Sequence, residues 1–138
     1  MVECVFCKII EGQIPSSVVF SDEHIMAFLD INPANKGHTL IMPKRHYNTF
    51  NDIPVKELSH LFEVVQRVSK AVEKGLAAEG YNILINNKKA AGQLVEHVHI
   101  HVIPRHKGDD MAVRLGWSYK KYEGNEIKEV ADKIRKNL

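Results

Sequence analysis

The sequence predicts an α+β fold: a five-stranded antiparallel sheet with one long helix and short N- and C-terminal helices. Three observations predict it. Five short apolar runs are bounded by turn formers, most of them close together in the chain. A single stretch of helical period separates the third run from the fourth, and a weaker helical stretch closes the chain. At 138 residues the chain has the length of one domain, spanning residues 1–138.

The elements follow in order. Cys4 to Glu11 carries Val5, Phe6, Ile9 and Ile10 and stops at Gly12, which suits a short helix with a glycine breaker. Pro15 enforces extension, so Ser17 to Phe20 reads as the first strand. A turn at Ser21-Asp22-Glu23 leads into a second strand, His24 to Asp30. Residues 32 to 37 are dense in turn formers and form a loop. Thr39 to Met42 is the third strand, ended by Pro43. Leu58, Leu61, Phe62, Val65, Val68, Val72 and Leu76 then recur at spacings of three and four, with Pro54 suited to the first turn and Gly80 as the stop. Asn82 to Asn87 is the fourth strand, Lys88 to Gly92 a loop, and Leu94 to Pro104 the fifth strand. From Lys107 to Tyr122 no period stands out. Glu126 to Leu138 returns to helical spacing through Ile127, Val130, Ala131 and Ile134, a modest stripe suited to docking on the core.

Composition narrows the function classes. Hydrophobic residues make up 44% and charged residues 26%, both ordinary for a globular domain. Nineteen Lys and Arg against seventeen Asp and Glu leave +2, too little charge to mark a nucleic-acid or membrane surface. No apolar run approaches the ~20 residues that span a bilayer. The opening Met1-Val2-Glu3-Cys4 lacks a basic, then apolar, leader, so a cytoplasmic protein is expected. Two cysteines three positions apart are no disulfide framework; Cys4 and Cys7 read as a metal half-site, a redox pair or plain packing. Lys88-Lys89 and Lys120-Lys121 read as solvated faces without a ligand.

Eight histidines are many for this length, and three fall within five residues: His97-Val98-His99-Ile100-His101-Val102-Ile103-Pro104. Alternation along a strand puts His97, His99 and His101 on one face and Val98, Ile100 and Val102 on the other. Strand rise spaces the three side chains about 6.6–7 Å apart. Imidazole acts as nucleophile, acid or metal ligand near neutral pH, and folding alone asks for no such row.

These residues resemble the signature of the histidine triad (HIT) family, His-φ-His-φ-His-φ-φ with φ apolar. Cys4-Val5-Phe6-Cys7-Lys8-Ile9, Phe28-Leu29-Asp30-Ile31-Asn32-Pro33, Ile41-Met42-Pro43-Lys44-Arg45-His46 and Asn82-Ile83-Leu84-Ile85-Asn86 resemble further family blocks in family order. The resemblance covers Cys4 to about Arg105 and leaves 106–138 as a C-terminal extension. It implies an enzyme acting at the α-phosphate of a purine nucleotide. His99 would be the nucleophile and form a nucleotidyl-histidine that water hydrolyses. By the same resemblance His101 contacts phosphate oxygens and protonates the leaving group, and Gln93 contacts phosphate or leaving group. Asn86 belongs to that polar pocket, and Asp30 accepts the ribose hydroxyls. Phe6, Ile9, Phe28 and Ile31 form the slot for the base, although Phe6, Phe28 and Ile31 serve equally well as core. Asn86 also reads as a strand end, and Asp30 as a turn starter before Ile31-Asn32-Pro33.

The resemblance also bears on the cysteines. His46 follows Cys7 after thirty-eight intervening residues and His97 follows His46 after fifty, so spacing alone closes no zinc site. Many microbial HIT proteins, however, complete a four-ligand zinc site from such positions, which here are Cys4, Cys7, His46 and His97. A closed Cys2His2 set is structural. The family is typically homodimeric, two five-stranded sheets joining edge to edge, and an apolar strand at Ile83 to Ile85 allows it. Trp117 and Tyr119 lie in the stretch that in the family shapes specificity near the other subunit.

Two enzymatic branches compete. The Cys-x-x-Cys opening and Phe28-Leu29-Asp30-Ile31 resemble the prokaryotic Hint-like, phosphoramidase-type proteins. Ile103-Pro104-Arg105 resembles the dinucleoside polyphosphate hydrolases, where an arginine would neutralise a phosphate chain. A non-catalytic nucleotide sensor is the rival from another class.

Overall fold

The computed structural model describes residues 3–109 and 120–138; Trp117 and Tyr119 lie outside the described residues. The elements are α1 (Val5–Ile10), β1 (Val18–Ser21), β2 (Ile25–Leu29), β3 (Thr39–Pro43), α2 (Val55–Gly75), β4 (Gly80–Leu84), β5 (Ile100–Arg105) and α3 (Glu126–Arg135). The five strands form one sheet in the order β1-β2-β3-β5-β4, and every neighbouring pair is antiparallel. β3 is buried throughout and β2 nearly so, whereas the edge strand β4 alternates between half-buried and exposed positions.

The alternation of side chains sorts the molecule into two layers. On one face Ile25, Ala27, Ile41, Val98, Ile100 and Val102 pack against Leu61, Val64, Val65 and Val68 of α2. On the other, Met26, Phe28, Leu40 and Met42 pack against Phe6 of α1, with Ile9 and Ile10 beside them. The register Leu40 opposite His101, and Leu84 opposite His101, sets the last triad residue between β3 and β4. No described helix is long and apolar enough to cross a membrane.

Three features of the fold differ from the sequence reading. The fifth strand begins at Ile100, not Leu94, because the chain before it bends and the Val98 amide donates to the Tyr47 carbonyl at 2.7 Å instead of joining the ladder. The long helix ends at Gly75, with Ala77 in a left-handed conformation at φ 50, and Gly80 opens β4 opposite Arg105. The third difference concerns α3. None of its residues is buried, and Ile127 and Ile134 stand exposed, so the stripe expected to dock on the core does not do so among the described residues.

Candidate functional site

The triad lies on the α1 face, where the alternation Val98, Ile100, Val102 into the α2 core leaves His97, His99 and His101 no other side. His97 and His99 are buried and His101 is partly so, so the row is enclosed. The rings of His99 and His101 tilt together to 4.9 Å between centroids, closer than strand rise alone provides. Phe6 of α1 stands edge-on to His99 at 4.9 Å and to Phe28 at 5.5 Å.

Hydrogen bonds fix which nitrogen of each ring carries its proton. His99 Nδ1–H donates to the His97 carbonyl at 2.6 Å, which leaves the Nε2 lone pair available. His38 accepts the Ala34 amide at Nδ1, 3.0 Å, so its Nε2–H donates to His101 Nδ1 at 2.8 Å. The proton of neutral His101 therefore resides on Nε2, a buried atom with no hydrogen-bond partner among the described residues. Burial holds His99 below the ordinary histidine range, against the opposing effect of the hydrogen bond it donates to the His97 carbonyl. Burial pushes His101 down to about 4, helped by the neighbouring His99 and His38. His38 is lowered by burial too. At neutral pH this is a row of uncharged imidazoles, one offering a lone pair and its neighbour a proton in hydrogen-bond form.

His38 was absent from the sequence reading. A single histidine between Gly37 and Thr39 carries no pattern, and its partner is 63 residues away.

A second cluster adjoins the triad. One donor atom each of Cys4, Cys7, His46 and His97 lies within 4.8 Å of all the others. His97 Nε2–H donates to the Pro43 carbonyl at 2.8 Å, and His46 Nε2–H donates to Asn48 Oδ1 at 2.8 Å. Both rings thus turn an unprotonated Nδ1 to the sulfurs: His97 at 3.5 Å from Cys4 and from Cys7, His46 at 3.4 Å from Cys7. An oxygen acceptor behind each histidine is the arrangement that orients metal ligands. Two thiols and two imidazoles are the donor set of structural zinc, and these residues fit that ion. Burial and the adjacent Cys4 push the Cys7 thiol up to about 11, so a cation is what would favour the thiolates.

Residues 11–108 match the HIT domain family. The chain belongs to the HIT family. A HIT-like protein of Methanocaldococcus jannaschii is 52% identical over 113 residues, covering 82% of this chain and 87% of that protein. An adenosine 5′-monophosphoramidase of Candida albicans is 35% identical, over 98% of this chain and 91% of its own. Among solved structures, a HIT family member from Bacillus subtilis superposes with TM-score 0.88 at 37% identity, covering 99% of this chain and 98% of the other. A zinc-bound histidine triad family protein from Mycobacterium smegmatis does so with TM-score 0.74 at 34% identity, covering 99% and 98%.

The remaining residues expected at a HIT site divide. Asp30 follows β2 with Oδ1 accepting the Asn32 amide at 2.9 Å and Oδ2 3.8 Å from His38 Nε2, beside the triad. Phe6, Ile9 and Phe28 come together on the triad face, but Phe6 and Phe28 are core and show little surface. Ile31 is 89% exposed and lies outside the core that Phe6 and Phe28 share. Asn86 sits against the Gly92 turn, its Nδ2 3.8 Å from where a Cβ on Gly92 would lie. Gln93 is buried, with Oε1 accepting the Lys88 amide at 2.7 Å and Nε2 donating to the Asn48 carbonyl at 2.6 Å; its amide is bound to backbone at both ends. Arg105, read as a phosphate-chain contact, forms a bidentate pair with Asp109 at 2.8 Å and donates to Asn82 Oδ1 at 2.9 Å. Its charge is matched within the protein.

Proposed function

We propose that this HIT protein hydrolyses purine nucleotides at the α-phosphate through a nucleotidyl-His99 intermediate, as a nucleoside phosphoramidase. The observation that carries the proposal is the tautomer of His99: Nδ1–H bound to the His97 carbonyl, with Nε2 unprotonated on a ring that burial keeps neutral. A neutral imidazole attacks phosphorus well, and the cationic phosphoryl-imidazole it forms is readily broken by water.

In this reading His99 Nε2 bonds to the α-phosphorus as the phosphorus–nitrogen bond breaks, and the amine leaves with a proton taken from solvent, which the later hydrolysis by water returns. Water then cleaves the Nε2–phosphorus bond, releases the nucleoside monophosphate and returns His99 to its neutral form. His101 presents Nε2–H to the phosphoryl oxygens. A ring held near 4 is uncharged at neutral pH, so it acts here as a preorganised hydrogen-bond donor rather than as a strong acid. His38 locks that tautomer through Nδ1. Asp30 accepts the ribose hydroxyls, and Asn86 lines the phosphate end of the pocket. Phe6, Ile9 and Phe28 wall the base, with the exposed Ile31 as its outer cover. Cys4, Cys7, His46 and His97 would hold zinc, which would supply structure by tying α1 to the end of β3 and the triad segment. The homology to a fungal adenosine 5′-monophosphoramidase supports the phosphoramidase branch. The pairing of Arg105 with Asp109 removes the argument for the dinucleoside polyphosphate branch. The exposed apolar residues Tyr81 and Ile83 on the edge strand β4 support a homodimer joined through that edge, in a protein without nucleic-acid or membrane partners.

The test is steady-state and single-turnover release of AMP from adenosine phosphoramidate and from diadenosine tetraphosphate, by wild type and His99→Ala. Faster turnover of the phosphoramidate, reduced at least about 1,000-fold in the variant while AMP binding persists, is expected. Wild type that binds AMP and turns over neither compound overturns the enzyme reading in favour of a nucleotide sensor.

A further inference from the structure

The connection between β4 and the triad contains a backbone conformation that its sequence does not favour. Lys88 has φ 69 and ψ 162. Ala77, the other described non-glycine residue at positive φ, is the ordinary left-handed end of a helix, but the Lys88 region is essentially reserved for glycine. Such a conformation persists only where its surroundings over-determine it.

Among these surroundings one side chain, Gln93, engages the Lys88 amide directly. The Lys88 amide donates to Gln93 Oε1 at 2.7 Å, and the Lys88 carbonyl accepts the Gln93 amide at 3.2 Å and the Ala91 amide at 3.0 Å. Gln93 Nε2 donates to the Asn48 carbonyl at 2.6 Å. A second link runs alongside, from the Phe50 amide to Asn87 Oδ1 at 2.7 Å. The loop is thereby stapled to the 48–50 segment, and Asn48 itself receives His46 Nε2–H. Both limbs of the loop lead to the site: Asn86 precedes Lys88 and packs on the Gly92 turn, and His97 follows Gln93 by four residues.

We propose that Gln93 is a positioning residue that acts through the backbone of Lys88. It holds the strained loop shut and so places Asn86 and the chain entering the triad, in preference to touching phosphate itself. The proposal rests on the α-phosphate reading for its catalytic consequence, while its physical half, the clamp on Lys88, is testable without any substrate.

Four variants test it: Gln93→Ala, Lys88→Gly, Lys88→Ala and Lys88→Gly with Gln93→Ala. Glycine at 88 relieves the strain, so Lys88→Gly raises Tm by about 2–4 °C, whereas Lys88→Ala keeps a β-carbon and does not. Gln93→Ala lowers kcat/KM for adenosine phosphoramidate about tenfold or more, measured well below its Tm, and speeds hydrogen exchange of the Lys88 amide. The double variant recovers at least half of that loss on a logarithmic scale. A double variant no better than Gln93→Ala means that Gln93 acts on the substrate directly and overturns the inference. Should wild type turn over no nucleotide, the exchange experiment decides alone: unchanged exchange at Lys88 in Gln93→Ala overturns the clamp.

Discussion

On the α2 face of the sheet, Ile41, Val98, Ile100 and Val102 meet Leu61, Val64, Val65 and Val68, and the buried Ser69 nearby satisfies its hydroxyl on the Val65 carbonyl at 2.7 Å. On the α1 face the residues between these in sequence include His97, His99 and His101, packed beside Phe6, Phe28, Leu40 and Met42. The same strands build both layers, yet different physics governs each. The first depends on area and volume, which many apolar side chains supply. The second depends on where each proton resides, because His97, His99, His46 and His38 each commit one N–H to a particular acceptor, the Pro43 and His97 carbonyls, Asn48 Oδ1 and His101 Nδ1, and the last bond leaves the proton of His101 on Nε2. One face is specified by shape and the other by tautomer.

The contrast breaks most visibly in the core. Leu61→Ala, at a site with 1% exposure, is expected to cost about 2–5 kcal/mol in denaturant unfolding and to leave kcat/KM within about threefold where the protein stays folded. Activity that falls in step with stability at all temperatures would erase the division between the faces. Metal removal acts on the other layer. Treatment with a chelator is expected to lower Tm by about 5 °C while residual turnover remains, since the ligands are structural in the proposed reading. Turnover abolished with Tm unchanged would contradict it.

A subtler effect is acid sensitivity. The folded His101 is held near 4, and an unfolded histidine titrates near its ordinary value of about 6.5, so below that value the unfolded chain binds the extra proton. Stability from this group is complete above about 6.5 and is lost as pH falls toward 4; His99 and His38 are shifted in the same direction. Denaturant titrations at pH 7, 6, 5 and 4 should show that fall, and His101→Gln should flatten it. The smallest effect belongs to a histidine on the α2 side. His60 Nε2 meets Asp22 Oδ2 at 2.6 Å near the surface, and Asp22 Oδ1 is already served by the His24 and Ile25 amides. His60→Ala is expected to change unfolding free energy by less than about 1 kcal/mol and activity not at all.

Much of the frame was legible because local period and burial coincide in β2, β3 and α2. The ends of elements were not. Leu94 to His99 alternates like a strand, but a partner strand is a tertiary fact, and the amide of Val98 finds Tyr47 instead. Gly80 reads as a helix stop only until the left-handed Ala77 is seen to end α2 first. In the site, the triad and the Cys-x-x-Cys pair announced themselves by spacing. His38 and the Arg105–Asp109 pair did not, because each is defined by what it touches across the fold. Gln93 was legible as a polar residue near the triad, but its engagement with Lys88 depends on a backbone angle that residue type alone argues against.

The six-residue helix α1 has a consequence for the entropy of closing the chain. A helix that short has no stability of its own in water. Its Cys4 and Cys7 find the His97 ring only across 93 and 90 residues of chain. The cluster therefore closes far longer loops than the contacts of Phe6 with Met26, Phe28, Leu40 and Met42, and carries the larger loop-closure cost.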